Sequence, residues 1–182
     1  MLRQLDLSVF ELKYGIQVRL VTEEDAEFIV KLRTDPQLNK FLNATDGSIE
    51  KQKNWIREYK KREAKAEDFY LLYAKDGEVF GVNRIYDIQT DRATGGSWIC
   101  KRGLSVDLPV ISLVIMREIM FEQLQLNFDY FDVRKQNKKV VKVHLMFGAQ
   151  KIDETDLDYY YVLSKEEFYK NKDYILELLN YK

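Results

Sequence analysis

The N-terminal third of the chain combines a strand-like and a helix-like pattern of apolar residues. Apolar residues in segment 9–12 and alternating apolar residues in segment 16–20 flank a turn at Gly15, which predicts a β-hairpin. A capping-box pattern at positions 22–25 then opens a helix, and Pro36 ends it. This part of the chain therefore predicts a hairpin followed by a helix.

The middle of the chain changes from a polar helix to strands and then to an apolar helix. Ser48 has the N-cap position of a second helix, which is rich in lysine and arginine. A period of two then predicts three strands, at residues 69–74, 79–88 and 96–101. Segment 108–124 is apolar nearly all round, so the helix that it predicts should be buried.

The last part of the chain alternates between strand and helix. Its pattern predicts a strand at 128–133, a helix at 137–147, a strand at 159–163 and a helix at 166–179. Taken over the whole chain, the order of elements predicts a single α+β domain over residues 1–182. Its sheet should be mixed, with a parallel part that the two central helices connect.

Composition and charge narrow the functional class. The chain has 182 residues, with 29 lysines and arginines and 30 aspartates and glutamates, and its net charge of -1 gives no broad basic surface for nucleic acid. A single cysteine excludes an intramolecular disulfide, which is typical of a reducing compartment. No apolar run approaches the roughly 20 residues that span a bilayer. We therefore expect a soluble, cytoplasmic protein with neither a nucleic acid nor a membrane as partner.

The most informative polar residues lie on the helix predicted at 137–147. Asn137 and His144 are two helical turns apart, so both side chains face the same side. Val140 shares this side, so His144, the 1 histidine of the chain, lies on a largely apolar face. Asn137 follows a strand, and we expect its side-chain oxygen to cap the helix. An isolated histidine in this setting is either a structural residue or a proton-transfer group.

These residues resemble a motif of the GCN5-related N-acetyltransferases (GNAT). The motif is Asn137, six residues, a proton-donating residue at His144, three residues and Gly148; in the family a tyrosine usually stands at the position of His144. Segment 32–42 is similar to the first-helix motif of two branches, which acetylate ribosomal-protein N-termini and the amino group of nucleotide-linked deoxysugars. The resemblance covers roughly residues 16–164.

The resemblance implies a fold, a reaction and a set of partners. The fold would be a mixed, mostly antiparallel central sheet flanked by helices, with an additional C-terminal helix. The protein would transfer an acetyl group from acetyl-CoA, without a metal, to a small primary amine, most simply a nucleotide-linked amino sugar. Protein N-terminal acetylation is the alternative acceptor class, and a non-catalytic domain that has lost coenzyme A binding is the alternative to an enzyme. A homodimer is compatible with this interpretation.

The segment before the buried helix departs from the family pattern. The family's pyrophosphate loop carries two glycines, whereas segment 104–109 has none, and Asp107 followed by Pro109 reads as a self-capped helix start. A capped helix end offers fewer free N–H groups to phosphates, so we expect weaker coenzyme binding. The resemblance, together with nearby polar groups, makes the candidate coenzyme contacts Ile99, Cys100, Lys101, Ser105, Val110 and Lys139, with Arg102 as a further cation.

The resemblance also assigns catalytic and acceptor residues. His144 and Asn137 are the candidate catalytic residues, and His144 has three open roles: an imidazolium acid, a neutral hydrogen-bond donor, or the base that deprotonates the substrate. Four residues lie where the family holds its acceptor or late in a central strand: Arg33, Asn39, Tyr86 and Asp87. For Arg33, an ordinary salt bridge at the end of a helix is the alternative.

Several other polar features have ordinary structural interpretations beside their functional ones. Cys100 has no second histidine to activate it and should be inert. The acidic residues of segment 153–158 do not match a metal-binding loop, so we expect an exposed hairpin. The basic second helix is either a solvated face or a site for a nucleotide diphosphate. The alternating tyrosines of segment 159–161 should pack within a strand, with one face open to substrate.

Overall fold

The computed structural model describes residues 5–42 and 44–181. Seven strands form one sheet, and their bounds are β1 (Gln17–Leu20), β2 (Phe69–Lys75), β3 (Glu78–Tyr86), β4 (Arg92–Cys100), β5 (Phe128–Arg134), β6 (Gln150–Glu154) and β7 (Asp158–Ser164). The order across the sheet is β1-β2-β3-β4-β5-β7-β6.

Helices cover both faces of this sheet. They are α1 (Val9–Tyr14), α2 (Ala26–Thr34), α3 (Ile49–Glu63), α4 (Asp107–Glu118), α5 (Lys138–Met146) and α6 (Lys165–Leu178). On one face, α1, α4 and α6 pack in a large apolar cluster with Leu71 and Tyr73 of β2. On the other face, α2 and α3 pack against Tyr70 and Leu72 of the same strand. Successive side chains of β2 point alternately into the two clusters, which explains why almost every residue of this strand is buried.

The central feature of the sheet is the pairing of β4 with β5. All other neighbouring strands are antiparallel, but β4 and β5 are parallel and share two residue pairs, Arg92 with Phe128 and Ala93 with Asp129. Beyond these pairs the two strands separate, so the sheet opens into a wedge. The predicted α+β fold, with a mixed and mostly antiparallel sheet and a C-terminal helix, is confirmed. The expectation that both central helices connect parallel strands is wrong, because only α4 joins a parallel pair, whereas α5 leads from β5 to strands that pair antiparallel.

The predicted N-terminal hairpin is wrong. Val9–Tyr14 is a helix, and its buried residues are Phe10 and Tyr14. Residues four apart lie on the same side of a helix, and they also lie on the same face of a strand. The spacing of Phe10 and Tyr14 therefore fits a buried helix as well as it fits a strand. Gly15 ends the helix in the left-handed conformation, with φ of 64°, and only β1 follows as a strand.

Three element boundaries differ from the sequence-based expectation for physical reasons. β4 begins at Arg92, four residues before the predicted position 96, where polar residues hide the strand period. β6 was not predicted as a strand, because all five of its residues are exposed at the sheet edge. The buried helix predicted to position 124 leaves α-helical geometry at Glu118 and continues as the π-helical turn Ile119–Gln123.

Two predicted helix starts are confirmed by their hydrogen bonds. The Ser48 hydroxyl accepts the backbone N–H of Lys51 at 3.2 Å, which caps α3. The carboxylate of Asp25 accepts the backbone N–H of Thr22 at 2.8 Å, as the capping-box pattern predicts. Here Asp25 closes a 3₁₀ turn that leads into α2. Both helices lie on one face of the sheet, and α2 contributes Arg33 to the lining of the wedge.

Candidate active site

A cavity of about 350 Å³ lies in the wedge between β4 and β5. Both separating strands line it, together with α5, and its wall includes Gly96, Ser97, Trp98, Phe131, Asp132, Asn137 and His144. A cavity of this size lies within the usual range for small-molecule sites, roughly 300–1,000 Å³. The parallel pair therefore creates the site at the point where its hydrogen bonding stops.

A β-bulge shapes the β4 side of this cavity. Val82 pairs with Ile99 but Arg84 pairs with Gly96, so β4 carries one more residue than β3 in this interval. Ser97, inside the bulge, has φ of 52°, a left-handed conformation that is uncommon for a residue other than glycine. A bulge leaves backbone groups outside the regular ladder. The bulge therefore interrupts the regular β3–β4 pairing at Ser97, which lines the cavity.

His144 is buried, with 6% of its surface exposed. Its ring lies 4.3 Å from the ring of Phe131, and its Nδ1 lies 2.9 Å from Nη2 of Arg117. Burial and the Arg117 charge hold the pKa of His144 well below its ordinary value of 6.5. The imidazole is therefore neutral at pH 7, which removes the imidazolium acid from the three roles considered for His144.

Asn137 occupies the N-cap position of α5, but its side chain makes no capping hydrogen bond, so the predicted cap is wrong. The backbone there has φ of -83° and ψ of 62°, whereas Ser48 and Ser164, which do cap helices, have extended conformations. The amide of Asn137 instead lines the cavity, as His144 does. The prediction that these two residues share one side of the helix is confirmed.

Two aspartates that sequence reasoning missed line the same cavity. Asp158 pairs with Arg134 at 2.9 Å, and its other oxygen is buried without a hydrogen-bond partner among the described residues. Partial burial and the Asp158 charge raise the pKa of Asp132 above its usual value. The sequence signal for Asp132 was its place in the strand that leads directly to Asn137. The segment 153–158 also forms the exposed hairpin that was predicted.

Of the four residues predicted to bind the acceptor, two line the cavity and two do not. Arg33 lines the cavity, and its Nε donates to the hydroxyl of Thr45 at 2.8 Å. Tyr86 lines it as well, and burial raises its pKa. The structure does not bring Asp87 or Asn39 to the cavity. Asp87 is exposed beyond the end of β3, with φ of 50°, and Asn39 belongs to a 3₁₀ turn.

The walls near this 3₁₀ turn are apolar. Phe41 and Leu42, rather than Asn39, line the cavity. The last residues of the turn lie at the wedge. The sequence therefore identified the correct loop for the acceptor side of the cavity, but not the residues that line it. Position 43 of the same loop lies outside the described residues.

A second cavity of about 450 Å³ adjoins the first. Arg33, Tyr86 and Ser97 line both cavities, so the two share a wall. The second cavity is lined further by cationic and aromatic side chains, among them Lys51, Trp55, Tyr70 and Arg84. It lies on the face of the sheet that α3 covers.

Arg84 is the fixed cation of this second cavity. Its Nε and Nη2 donate to the buried carboxylate of Asp68, at 3.1 and 2.5 Å. Its guanidinium carbon lies 4.9 Å from the ring of Trp55 and 4.6 Å from the ring of Tyr86. Bidentate pairing and ring contacts on this scale hold a planar guanidinium in one orientation. Arg84 therefore presents a positive charge with little freedom to move.

The basic residues of α3 are mostly part of a solvated face. The ion pairs that involve them are Lys51 with Asp46, Arg57 with Glu23 and Glu50, Lys60 with Glu63, Lys61 with Glu58 and Arg62 with Asp68. Lys51 stands in the second cavity near the start of the helix. The solvated interpretation thus holds for most of the helix, and Lys51 together with Arg84 provides the cationic wall.

The start of α4 does not have the predicted cap. Val106 holds the N-cap position, with φ of -61°, and no side chain caps the helix, so Asp107 is the first helical residue. Pro109 lies in the first turn, as predicted. Without a side-chain cap, the first N–H groups remain donors for an anion, which overturns the expectation that this helix end is self-capped.

The other candidate coenzyme contacts surround the same region. Ile99 and Val110 are buried, and burial raises the pKa of Cys100 to about 12, so its thiol is inert as predicted. Lys101 pairs with Glu78 at 2.9 Å, and Arg102 pairs with Asp35 at 3.0 Å. Ser105 and Lys139 are exposed near the starts of α4 and α5.

Within the described ranges, no helix is long and apolar enough to cross a membrane. The same residues include no group of three or more histidines, cysteines and carboxylates arranged to hold a metal ion.

The chain belongs to the GNAT family of N-acetyltransferases. The family model described as "Acetyltransferase (GNAT) domain" matches residues 16–150, which confirms the family resemblance. The members of this family use acetyl-CoA, and they are enzymes, so the alternative of a non-catalytic domain falls away. No curated protein matches the chain significantly.

Solved structures extend this comparison. Apo FdhC, a nucleotide-linked sugar GNAT, is 35% identical with a TM-score of 0.81, over 92% of this chain and 96% of FdhC. *Mycobacterium smegmatis* RimJ in complex with CoA-disulfide is 16% identical with a TM-score of 0.77, over 91% and 90% of the two chains. *Campylobacter jejuni* N-acetyltransferase PseH in complex with acetyl coenzyme A is 22% identical with a TM-score of 0.65, over 82% and 99%. The last two share the fold.

Proposed function

We propose that the protein transfers an acetyl group from acetyl-CoA to the amino group of a sugar that is linked to a nucleoside diphosphate. The observation that carries this proposal is the distribution of charge over the two adjoining cavities. Asp132 and Asp158 line the first cavity beside His144, with Arg134 paired to Asp158, whereas Lys51 and Arg84 line the second, with Asp46 paired to Lys51. Arg33 lines both cavities, so cations outnumber carboxylates only in the second. An amino sugar nucleotide has the matching arrangement, an ammonium group at one end and a diphosphate toward the other.

The acidic end suits the reacting amine. A sugar ammonium group is attracted to Asp132 and must lose a proton before it attacks, and we assign this base role to Asp132. The neutral nitrogen then forms a bond to the thioester carbonyl carbon, the carbon–sulfur bond breaks, and the proton that the nitrogen loses as it becomes an amide passes to the thiolate of coenzyme A. Backbone donors at the Ser97 bulge would stabilise the oxyanion, and His144 would donate a hydrogen bond to the sulfur.

The cationic end suits the diphosphate. Arg84 offers a guanidinium fixed by Asp68 and Trp55, and Lys51 an ammonium paired with Asp46, and charge-assisted hydrogen bonds from both favour phosphate oxygens. Trp55 and Tyr70 add aromatic surface to the same wall. The relative FdhC acts on nucleotide-linked sugars, as its description states, and it is 35% identical to this chain. Spermidine, which is positive at both ends, would be repelled by Lys51 and Arg84.

Acetyl-CoA would reach the wedge from the start of α4. The N–H groups of the first turn of α4 would hold its pyrophosphate, and Ser105 and Lys139 would add polar contacts. The backbone of β4 from Ile99 to Lys101 would pair with the pantetheine arm, and Val110 would pack beneath it. The acetyl group would supply the electrophilic carbonyl between β4 and β5.

Steady-state rates with saturating acetyl-CoA test the proposal. The acceptors compared are a nucleoside-diphosphate-linked amino sugar, the methyl glycoside of that sugar, spermidine and a peptide with a free N-terminus. Two charge-assisted contacts to the diphosphate predict that kcat/KM is roughly 100-fold higher for the nucleotide-linked sugar than for the methyl glycoside. A higher kcat/KM for spermidine or for the peptide would overturn the proposal.

A further inference from the structure

A buried charge pair lies directly behind His144. Arg117, in the apolar helix α4, has no exposed side-chain surface and lies between the rings of Phe131 and Phe147, at 5.5 and 4.8 Å. Its Nε donates to Oδ2 of Asp129 at 3.1 Å, and Asp129 is buried as well. Burying two charges costs more than most ion pairs return, so this pair needs a reason beyond stability.

Asp129 ties the pair to the opening of the wedge. Its second oxygen, Oδ1, accepts the backbone N–H of Gly95 on β4 at 2.9 Å. Ala93 and Asp129 form the last residue pair between β4 and β5, so this side-chain bond continues the connection one step further. Gly95 has no room for a side chain, because a Cβ there would come within 2.9 Å of Oδ1. The position of Arg117 is thus fixed relative to both strands of the wedge.

In the contact between Arg117 and His144, only one assignment of donor and acceptor is possible. A guanidinium stays protonated and has only N–H donors, so the 2.9 Å contact requires Nδ1 of His144 to accept. A neutral imidazole carries one ring proton, and with Nδ1 accepting, that proton is on Nε2. The other guanidinium nitrogen, Nη1, is buried without a partner among the described residues, which is a further cost to stability.

We propose that Arg117 and Asp129 are positioning residues that lock His144 in the tautomer with its proton on Nε2. The inference rests on the proposed function for its catalytic meaning, but the tautomer itself does not. In this tautomer His144 offers the cavity a hydrogen-bond donor and has no free lone pair, so it serves the departing sulfur and not the amine. It thereby reproduces, with a neutral ring, the donor that a tyrosine provides in the family.

Nuclear magnetic resonance of the ¹⁵N-histidine-labelled full-length protein tests the tautomer without any substrate. The chain has 1 histidine, so the imidazole signals are assigned without mutagenesis. We expect the Nε2-protonated neutral form from about pH 5.5 to 9, because Arg117 faces the ring and Asp129 reaches it only through Arg117. A proton on Nδ1, or titration near the ordinary pKa of histidine, would overturn the proposal.

A double substitution tests the positioning role. Arg117→Met with Asp129→Asn removes both charges, keeps an acceptor for Gly95 and replaces the guanidinium by an apolar side chain, a type of exchange that proteins often tolerate. In this variant the histidine should show both tautomers and titrate closer to its ordinary pKa. If the variant does not fold, the wild-type spectrum still decides the tautomer.

Turnover then separates positioning from a general structural role. The double substitution should lower kcat about tenfold or more in the wild-type background, but much less in a His144→Tyr background, because a phenol has no tautomer to lose. Equal losses in both backgrounds would overturn the positioning role. A locked tautomer in a protein that acetylates no amino sugar would instead leave this inference standing and overturn the proposed function.

Discussion

Asp132 and Asp87 are both aspartates of central strands or their ends, but their surroundings differ. The side chains of both residues are exposed, but Asp132 lines the wedge near Asp158, whose charge helps to raise its pKa, whereas Asp87 lines neither cavity. At the scale of residues, sequence position alone therefore made Asp87 the candidate, and three-dimensional neighbours make it Asp132. The contrast provides a matched pair of variants.

We expect Asp132→Asn to lower kcat by about 10²–10⁴-fold, the usual effect of removing one positioned base. The raised pKa also means that the ionised carboxylate is disfavoured in the folded state, so the melting temperature at pH 7 should stay level or rise. Asp87→Asn should leave both quantities unchanged. A loss of activity in Asp87→Asn, with Asp132→Asn fully active, would return the base role to the residue suggested by the sequence.

His144 makes a prediction about stability against pH. Its folded pKa lies well below 6.5, while in the unfolded chain it is near 6.5, so below about pH 6.5 the unfolded state binds a proton that the folded state does not. This part of the stability is present above that pH and is lost as pH falls. His144→Gln keeps an acceptor for Arg117 and should lose less melting temperature between about pH 7.5 and 5.5 than the wild type. An identical loss in both proteins would contradict the prediction.

At the scale of elements, the start of α4 is the feature that departs most from the family pattern. Its first N–H groups have no side-chain cap, which favours an anion, but Asp107 places a negative charge in the first turn. Attraction by the helix end and repulsion by this carboxylate therefore oppose each other where the coenzyme pyrophosphate would bind.

We expect Asp107→Asn to bind acetyl-CoA several-fold more tightly, because it removes a like charge near the diphosphate while keeping the size of the side chain. Calorimetric titration measures this dissociation constant. Glu166→Gln is the control, since Glu166 also lies in the first turn of a helix, α6, and loses the same favourable interaction with a helix N-terminus. Weaker binding by Asp107→Asn would show that the carboxylate supports this site.

Elements whose apolar residues repeat with a clear period were predictable from sequence. Fully exposed elements, and contacts between residues far apart in the chain, were not. The period located β2 and the buried α4, whereas the fully exposed edge strand β6 gave no signal. The serine cap of α3 was correct because it depends on local residues alone. The contact of Arg117 with His144 joins residues 27 apart in sequence, and only the packed fold brings them together.

At the scale of the whole molecule, the proposed reaction uses the wedge and one face of the sheet. In this proposal the splayed strands would hold the reacting groups, α4 would offer its start to the coenzyme, and α3 would bring Lys51 to the acceptor. The family resemblance made it predictable that the sheet would carry a site for acetyl-CoA and an amine. The charges at its two ends come from β5, β7, β3 and α3, so no single segment of sequence revealed them. The single-domain organisation and the homodimer stay predictions.

The ratio of kcat/KM for the nucleotide-linked amino sugar to that for its methyl glycoside measures the central claim, that the cationic end recognises the diphosphate. Lys51→Met should lower this ratio about tenfold, the effect of one charge-assisted contact, without changing the rate for the methyl glycoside. The control is Lys61→Met, on the same helix but paired with Glu58 and outside the cavity wall, and it should keep the wild-type ratio. An unchanged ratio in Lys51→Met, or an equal fall in both variants, would contradict the account.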